Sequence, residues 1–289
     1  MSDSSPIIIV GAGRSGTKLL RSILNSAEDT VAFPREINYI WRHGNAEFPT
    51  DELQPHHANP DVAAYICRRF AQFSAKHDYR RVIEKTCANS LRLAFVHTIF
   101  PEAMVVHIMR DGRAVAESAR RRWVAKPEWR YLWEKARWLP WEDVSYYAVR
   151  FLRYQIGRLQ SKSGAQSSWG PRFSGIDELI SHKQLIEVCG IQWRECVRAA
   201  ESALAQLPAR QHVTVRYEDL IVDPVGVSAA LFAELGLKFS PESEAYINAN
   251  VHAGNLQKWQ QQLTEADLDL LMPHIRDELA QYGYSDGFN

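Results

Sequence analysis

The stretch GAGRSGTK, residues 11–18, combines glycines with basic residues in a pattern that indicates phosphate chemistry. It keeps both glycines of the ATP-binding pattern G-x-x-x-x-G-K-[ST], but Thr17 precedes Lys18, so the last two letters are exchanged. Glycines let the backbone approach a phosphate closely, and the free N–H groups at the start of a helix attract its charge. Arg14 between the glycines adds a full positive charge, which a turn made only for packing does not need. The stretch therefore predicts an anion-binding loop.

A second basic cluster follows the apolar run at 104–109. Arg110 comes directly after this run, and Ser118 and Arg122 lie four residues apart, so they share one face of the predicted helix. Arginine can bind phosphate through two hydrogen bonds, and a hydroxyl adds a third partner. The intervening Arg120 and Arg121 fit a solvated helix face. Two separated phosphate sites predict a ligand phosphorylated at both ends of a nucleoside.

The elements that must position these residues are predicted by a repeating order of apolar run, turn and helical pattern. Four β-branched runs without in-out alternation are typical of parallel strands covered on both faces. They occupy residues 7–10, 80–84, 104–109 and 212–217. Helical spacing follows the first and third runs and is also predicted at about 60–76, 90–99, 127–160, 183–206, 226–236 and 264–281. The pattern predicts an α/β fold of three layers, in which helices flank a central parallel sheet.

The carboxyl ends of parallel strands meet at one edge of the sheet, which is where ligands bind in such folds. The first run is followed by Arg14, the second by Lys85 and the third by Arg110. Tyr217 ends the fourth run. Three strand ends therefore bring positive charge to one edge, and this edge is predicted to bind an anion.

Composition limits the partners of the chain. Its 289 residues favour a single large domain, and 34 Lys and Arg balance 34 Asp and Glu, so no bulk attraction to nucleic acid or to an anionic membrane is expected. The four cysteines show neither paired nor metal-like spacing, which indicates reduced thiols in a cytoplasmic protein. The amino terminus predicts neither a signal peptide nor a membrane span.

With these motifs in place, the chain resembles a sulfotransferase that uses 3′-phosphoadenosine 5′-phosphosulfate, from the bacterial group similar to protein-tyrosine sulfotransferases. The resemblance spans nearly the whole length. It rests on VGAGRSGTKLLRSIL (10–24), VVHIMRDGRAVAESARRRW (105–123), VRYEDLIVDP (215–224), LQKWQQQLTEADLDLL (256–271) and the closing YGY. The P-loop-like fold of that family agrees with the predicted sheet.

The resemblance also implies roles for individual residues. The 5′-phosphosulfate would be held by Gly13, Arg14, Ser15, Gly16, Thr17 and Lys18. The 3′-phosphate would be held by Arg110, Ser118 and Arg122, with Tyr217 near the adenine and Lys258 closing over the nucleotide. For catalysis the resemblance points to Glu36 as general base, with Arg14 and Lys85 stabilising the developing charge, and no metal is required. His43 is the alternative base, since other sulfotransferases use a histidine.

The acceptor is expected to be a hydroxyl group on a peptide tyrosine, a glycan, a lipid or a small molecule. An insertion of helix and loop at about 123–182 is predicted to form the acceptor side, and the Ser- and Gly-rich loop 161–175, with Trp169 and Arg172, is a candidate lid. Oligomeric state is left open. Two other functions stay open at this stage: a P-loop NTPase or small-molecule kinase, and a nucleotide-binding regulator without catalysis.

Overall fold

The computed structural model describes residues 5–125, 169–252 and 256–284. Its centre is a five-stranded parallel sheet with the strand order β2-β3-β1-β4-β5. The strands are β1 (Ile7–Val10), β2 (Thr30–Ala32), β3 (Arg81–Lys85), β4 (Met104–Met109) and β5 (His212–Arg216). The predicted parallel sheet is therefore confirmed.

Helices cover the sheet and extend beyond it. They are α1 (Thr17–Leu24), α2 (Asn38–Trp41), α3 (Pro60–Ala75), α4 (Leu93–Ile99), α5 (Gly112–Val124), α6 (Ile176–His182), α7 (Leu185–Leu204), α8 (Tyr217–Val222), α9 (Pro224–Glu234), α10 (Pro241–Asn250), α11 (Lys258–Gln262) and α12 (Glu265–Gln281). Short 3-10 helices occupy Pro55–His57, Cys87–Leu91 and Ala209–Gln211. The helix predicted at 127–160 lies outside the described residues. None of the described helices is both long and apolar enough to cross a membrane.

Both faces of the sheet are buried, which explains the apolar runs without alternation. On one face, Ile8 and Val10 pack with residues of α3 and α4, such as Ile66. On the other face, Ile7 and Ile9 pack with residues of α1, α8 and α9. A third apolar cluster joins α5, α7 and α12 beside the sheet. These layers fix the strand ends, and so the loops after β1, β3, β4 and β5 open at one edge.

The sequence interpretation of the arginines after position 119 needs one correction. Arg121 is half exposed and pairs with Glu117, as a solvated helix face predicts. Arg120, in contrast, is mostly covered, and its Nη1 donates to Asp267 Oδ1 at 2.6 Å. Arg120 therefore connects α5 to the start of α12 instead of facing only solvent.

Candidate donor and catalytic site

The loop between β1 and α1 bends sharply before the helix begins. Gly16 has a φ of 93°, and a Cβ at this position would lie 2.4 Å from the ring of Tyr217. Arg14 also has a positive φ, 79°, which costs a residue other than glycine on the order of 1–3 kcal/mol. Such strained conformations concentrate at functional sites. The loop is thus held in shape by its packing against α8.

The basic residues predicted to bind two phosphates come together in the structure. Arg14 Nε donates to Ser118 Oγ at 3.0 Å, and Arg110 Nη1 donates to the carbonyl oxygen of Arg14 at 3.0 Å. Arg122, one turn after Ser118, is close enough to act on the charge of Arg14. The loop after β1, Arg110 and one face of α5 therefore form one continuous basic surface, with Arg14 between Arg110 and Ser118.

The electrostatics of Arg14 show that this surface has an excess of positive charge. Partial burial lowers the pKa of Arg14, and the charges of Arg110, Arg122 and Arg121 lower it further, with Cys87 opposing them. Like charges held this close are unfavourable unless an anion neutralises them. In a chain whose net charge is zero, the arrangement favours a ligand with several negative charges at this edge.

Lys85 and Glu36 form an ion pair at the same edge. Lys85 is the last residue of β3, and its Nζ lies 2.6 Å from Oε1 of Glu36. Burial opposes the charge of Lys85, whereas Cys87 and Glu36 favour it, and the net effect raises the pKa of Lys85. The lysine side chain is 10% exposed and that of Glu36 is 37% exposed, so the carboxylate remains accessible from solvent. The pair therefore offers a base that a substrate can approach.

A buried polar network, which sequence reasoning did not identify, supports this pair. Thr86 Oγ1 accepts from the amide of Ile37, next to Glu36, at 3.1 Å and donates to Glu84 Oε1 at 2.5 Å. Asn89 Nδ2 donates to the other oxygen of Glu84 at 2.8 Å. Burial raises the pKa of the fully enclosed Glu84 to about 7. The sequence signal for this network is Glu84 itself, a glutamate in a strand that is predicted to be covered on both faces.

The remaining loop residues differ in burial. Ser15 and Thr17 are buried, and Thr17 Oγ1 lies 3.6 Å from Cys87 Sγ. Lys18 is exposed on the first turn of α1. The amide of Gly11 donates to Ser90 Oγ at 2.9 Å, which fixes the start of the loop against the segment after β3.

Tyr217 and Lys258 lie at the side of the site formed by the later part of the chain. Tyr217 begins α8, and its ring lies 4.3 Å below the guanidinium carbon of Arg110. Lys258 is half-buried at the start of α11. The next residue, Trp259, packs against α5 with its ring 4.3 Å from the guanidinium carbon of Arg113. Apart from the loop after β1, the residues predicted to bind the nucleotide thus lie directly after β4 and on α5, α8 and α11.

His43, the alternative base, has different surroundings. Its ring stacks on Tyr65 of α3, with ring centres 3.5 Å apart and an angle of 14° between the planes. Glu36, not His43, is the residue paired with Lys85. The structure therefore brings Glu36 together with the predicted catalytic lysine.

The carboxyl-terminal part of the predicted loop 161–175 packs against the loop after β1. A Cβ at Gly13 would lie 3.2 Å from the ring of Trp169, so the indole covers this glycine. Gln192 Nε2 donates to the carbonyl oxygen of Trp169 at 2.9 Å. The backbone amide of Asp51 donates to the carbonyl oxygen of Arg172 at 2.7 Å. Residues 161–168 lie outside the described part of the chain.

Solved structures with a similar fold are sulfotransferases. The sulfotransferase domain from the curacin biosynthetic pathway has a TM-score of 0.56 at 14% identity, with 98% of each chain covered. The sulfotransferase domain of the Synechococcus PCC 7002 olefin synthase has a TM-score of 0.56 at 17% identity, covering 99% of this chain and 98% of that one. Mouse sulfotransferase SULT7A1, complexed with PAP, has a TM-score of 0.50 at 14% identity, covering 97% and 89%. At these identities the likeness shows the P-loop-like fold.

Sequence comparison identifies the family. A search of curated proteins finds no significant match. Residues 6–158, more than half of the chain, match the family described as "Sulfotransferase family". This segment contains the loop after β1, the Lys85–Glu36 pair and the arginines of α5. The chain therefore belongs to the sulfotransferase family.

Proposed function

We propose that this sulfotransferase takes a sulfuryl group from 3′-phosphoadenosine 5′-phosphosulfate and transfers it to a hydroxyl group of an acceptor. The observation that carries the proposal is the convergence of Arg14, Arg110 and Arg122 beside a glycine loop. A nucleotide with negative charge at both ends would neutralise this surface. PAP (3′-phosphoadenosine 5′-phosphate), the product of this donor, is bound in one structural neighbour.

In this proposal the donor lies along the edge of the sheet. The 5′-phosphosulfate is held by the loop from Gly13 to Lys18, where the amides at the start of α1 face the anion. The 3′-phosphate is held by Arg110, Ser118 and Arg122. Tyr217 lies near the adenine, and Lys258 closes over the nucleotide. The hydrogen bond from Arg14 to Ser118 supports one continuous site for both ends.

The transfer step needs a base and stabilisation of charge. The oxygen of the acceptor hydroxyl bonds to sulfur, and the bond from sulfur to the 5′-phosphate oxygen breaks. Glu36 accepts the proton that the hydroxyl loses in this step. Lys85, 2.6 Å from Glu36, favours the ionised carboxylate before the proton moves. Lys85 and Arg14 stabilise the charge that develops on the sulfuryl and bridging oxygens. The scheme requires no metal ion.

The acceptor side is proposed to be the insertion at about 123–182, within a single domain of 289 residues. The packing of Trp169 on Gly13 supports an acceptor path beside the phosphosulfate. The acceptor is a hydroxyl of a peptide tyrosine, glycan, lipid or small molecule. Free and mostly buried cysteines support a cytoplasmic protein, whereas a bacterial source is proposed from the family resemblance alone.

The NTPase or kinase alternative finds less support. An ATP loop needs its lysine directly after the second glycine and a carboxylate for magnesium at a strand end. Here Lys18 is exposed on α1, and β4 is followed by Arg110. Asp111, the next acid, is paired with Arg113.

Sulfuryl transfer from donor labelled with radioactive sulfur to hydroxyl compounds fractionated from a bacterial extract tests the proposal. We expect Glu36→Gln to retain donor binding and to lower the transfer rate by about 10²–10⁴-fold. The control His43→Gln should transfer at nearly the wild-type rate. The reverse pattern would assign the base to His43. Donor binding without transfer to any fraction would favour the non-catalytic regulator.

A further inference from the structure

One carboxylate connects the loop after β4 to the carboxyl-terminal segment. Glu218 Oε1 accepts from the backbone amide of Asp111 at 3.1 Å. Its other oxygen, Oε2, accepts from the hydroxyl of Tyr284 at 2.8 Å. Both oxygens of Glu218 are therefore occupied by parts of the chain that are far apart in sequence.

Tyr284 is well suited to act as the donor in this contact. Burial raises its pKa, and Glu218 raises the pKa further, so the hydroxyl keeps its proton at neutral pH. The residue is 7% exposed, and the guanidinium carbon of Arg216 lies 4.7 Å from its ring centre. Its amide donates to the carbonyl oxygen of Leu279 at 2.8 Å, in the turn that follows α12. The backbone hydrogen bond and the contact of Arg216 with the ring thus hold the hydroxyl of Tyr284 in place.

The contact lies next to the basic surface. Because Met109 of β4 pairs with Arg216 of β5, the residues that follow the two strands are neighbours. Tyr217 supports the guanidinium of Arg110 with its ring, at 4.3 Å. Glu218 holds the amide of the following residue. Two consecutive residues of α8 therefore fix two consecutive residues after β4.

We propose that Glu218 and Tyr284 are positioning residues for Arg110, and that they set the affinity of the site for the 3′-phosphate of the donor. They act through the backbone after β4 and not by contact with the nucleotide. The inference rests on the proposed function, which assigns the 3′-phosphate to Arg110. Both residues lie beyond the segment 6–158 that matches the family.

The test compares the dissociation constants of two ligands by calorimetry. PAP carries a 3′-phosphate, and adenosine 5′-phosphate is the same molecule without it. We expect Tyr284→Phe, which removes the hydroxyl that holds Glu218, to weaken PAP about tenfold. The dissociation constant of adenosine 5′-phosphate should change by less than about twofold, because this ligand has no 3′-phosphate for Arg110 to bind.

The chain offers a matched control two residues away. The hydroxyl of Tyr282 donates to Glu201 of α7 and not to Glu218. Tyr282→Phe therefore removes a similar tyrosine–glutamate hydrogen bond from the same segment, and should leave both dissociation constants unchanged. Glu218→Gln is a second variant, because its amide can no longer accept from both Asp111 and Tyr284; it should weaken PAP at least as much as Tyr284→Phe.

Equal weakening of both ligands by Tyr284→Phe would overturn the proposal, since it would indicate a general structural effect. Unchanged PAP binding in both Tyr284→Phe and Glu218→Gln would also overturn it. If wild-type protein binds the two ligands equally, the 3′-phosphate assignment itself fails. That outcome concerns the proposed function and is seen before any variant is made.

Discussion

Glu84 shows what burial does to a single ionisable group beside the proposed catalytic pair. It has no solvent exposure, and its two oxygens accept from Thr86 and Asn89. Burial raises its pKa to about 7, so the protonated form is favoured in the folded protein below about pH 7. The unfolded chain ionises the same group at its ordinary pKa of about 4.3.

This difference predicts a pH-dependent contribution to stability. Between about pH 4.3 and pH 7 the folded state binds more protons than the unfolded state, so the contribution of Glu84 is lost as the pH rises through this range. The total loss is on the order of 3 kcal/mol. We expect the free energy of unfolding of wild type minus that of Glu84→Gln to fall by about this amount from pH 5 to pH 8, measured by urea denaturation.

The Glu84→Gln comparison cancels the contribution of other groups, such as the buried His107, whose pKa is lowered to about 4 by burial. A difference that stays constant over the same range would show that Glu84 has the same pKa in both states. In that case Thr86 would still accept the hydrogen bond from Ile37, next to Glu36, but Glu84 would not take up a proton when the chain folds.

At the scale of elements, the packing of α8 on the loop after β1 explains why Gly16 is required. The residue combines a φ of 93° with a neighbour, Tyr217, whose ring leaves no space for a Cβ. An added methyl group would displace the ring on which Arg110 lies. The loop and the second basic cluster are therefore mechanically connected.

Gly16→Ala and Gly236→Ala separate backbone strain from this contact. Gly236 also has a positive φ, 67°, but a Cβ there would meet no atom within 4 Å. We expect Gly236→Ala to cost about 1–2 kcal/mol of stability and to leave PAP affinity unchanged. Gly16→Ala should cost more and should weaken PAP. Equal effects of the two variants on both stability and affinity, measured by melting and calorimetry, would contradict this account.

The sequence predicts most of the sheet because β1, β3 and β4 are buried on both faces. The runs at 7–10 and 104–109 coincide with β1 and β4, and the run at 80–84 differs from β3 by one residue at each end. The strand β2, with three residues, is too short to give a pattern of its own. Tyr217 was assigned to the end of the fourth strand, but it begins α8, where it can support Arg110.

Sequence patterns also predict only part of the site. The strand-end rule correctly brings Arg14, Lys85 and Arg110 to one edge, because parallel strands share a direction. It does not predict the contacts of Glu218, whose partners lie 107 and 66 residues away. No periodicity encodes such pairs, since each depends on the folded path of the whole chain.

For the molecule as a whole, the charge is balanced but unevenly distributed. Lysine and arginine number 34, as do aspartate and glutamate, yet three arginines act together at the predicted phosphate edge. The family match covers residues 6–158, whereas Tyr217, whose ring lies under Arg110, and Lys258, which is proposed to close over the nucleotide, belong to the later part of the chain. The proposed donor site is therefore assembled from both halves of the sequence.

The measurement that tests the proposed donor site most directly is calorimetric binding of PAP in the absence of magnesium, compared with ATP in its presence. The control pair is Arg122→Ala and Arg121→Ala, neighbours on α5, of which Arg121 pairs with Glu117. We expect PAP to bind without metal and much more tightly than ATP, with affinity lost in Arg122→Ala and reduced far less in Arg121→Ala. Equal binding of ATP, or a strict requirement for magnesium, would contradict the account.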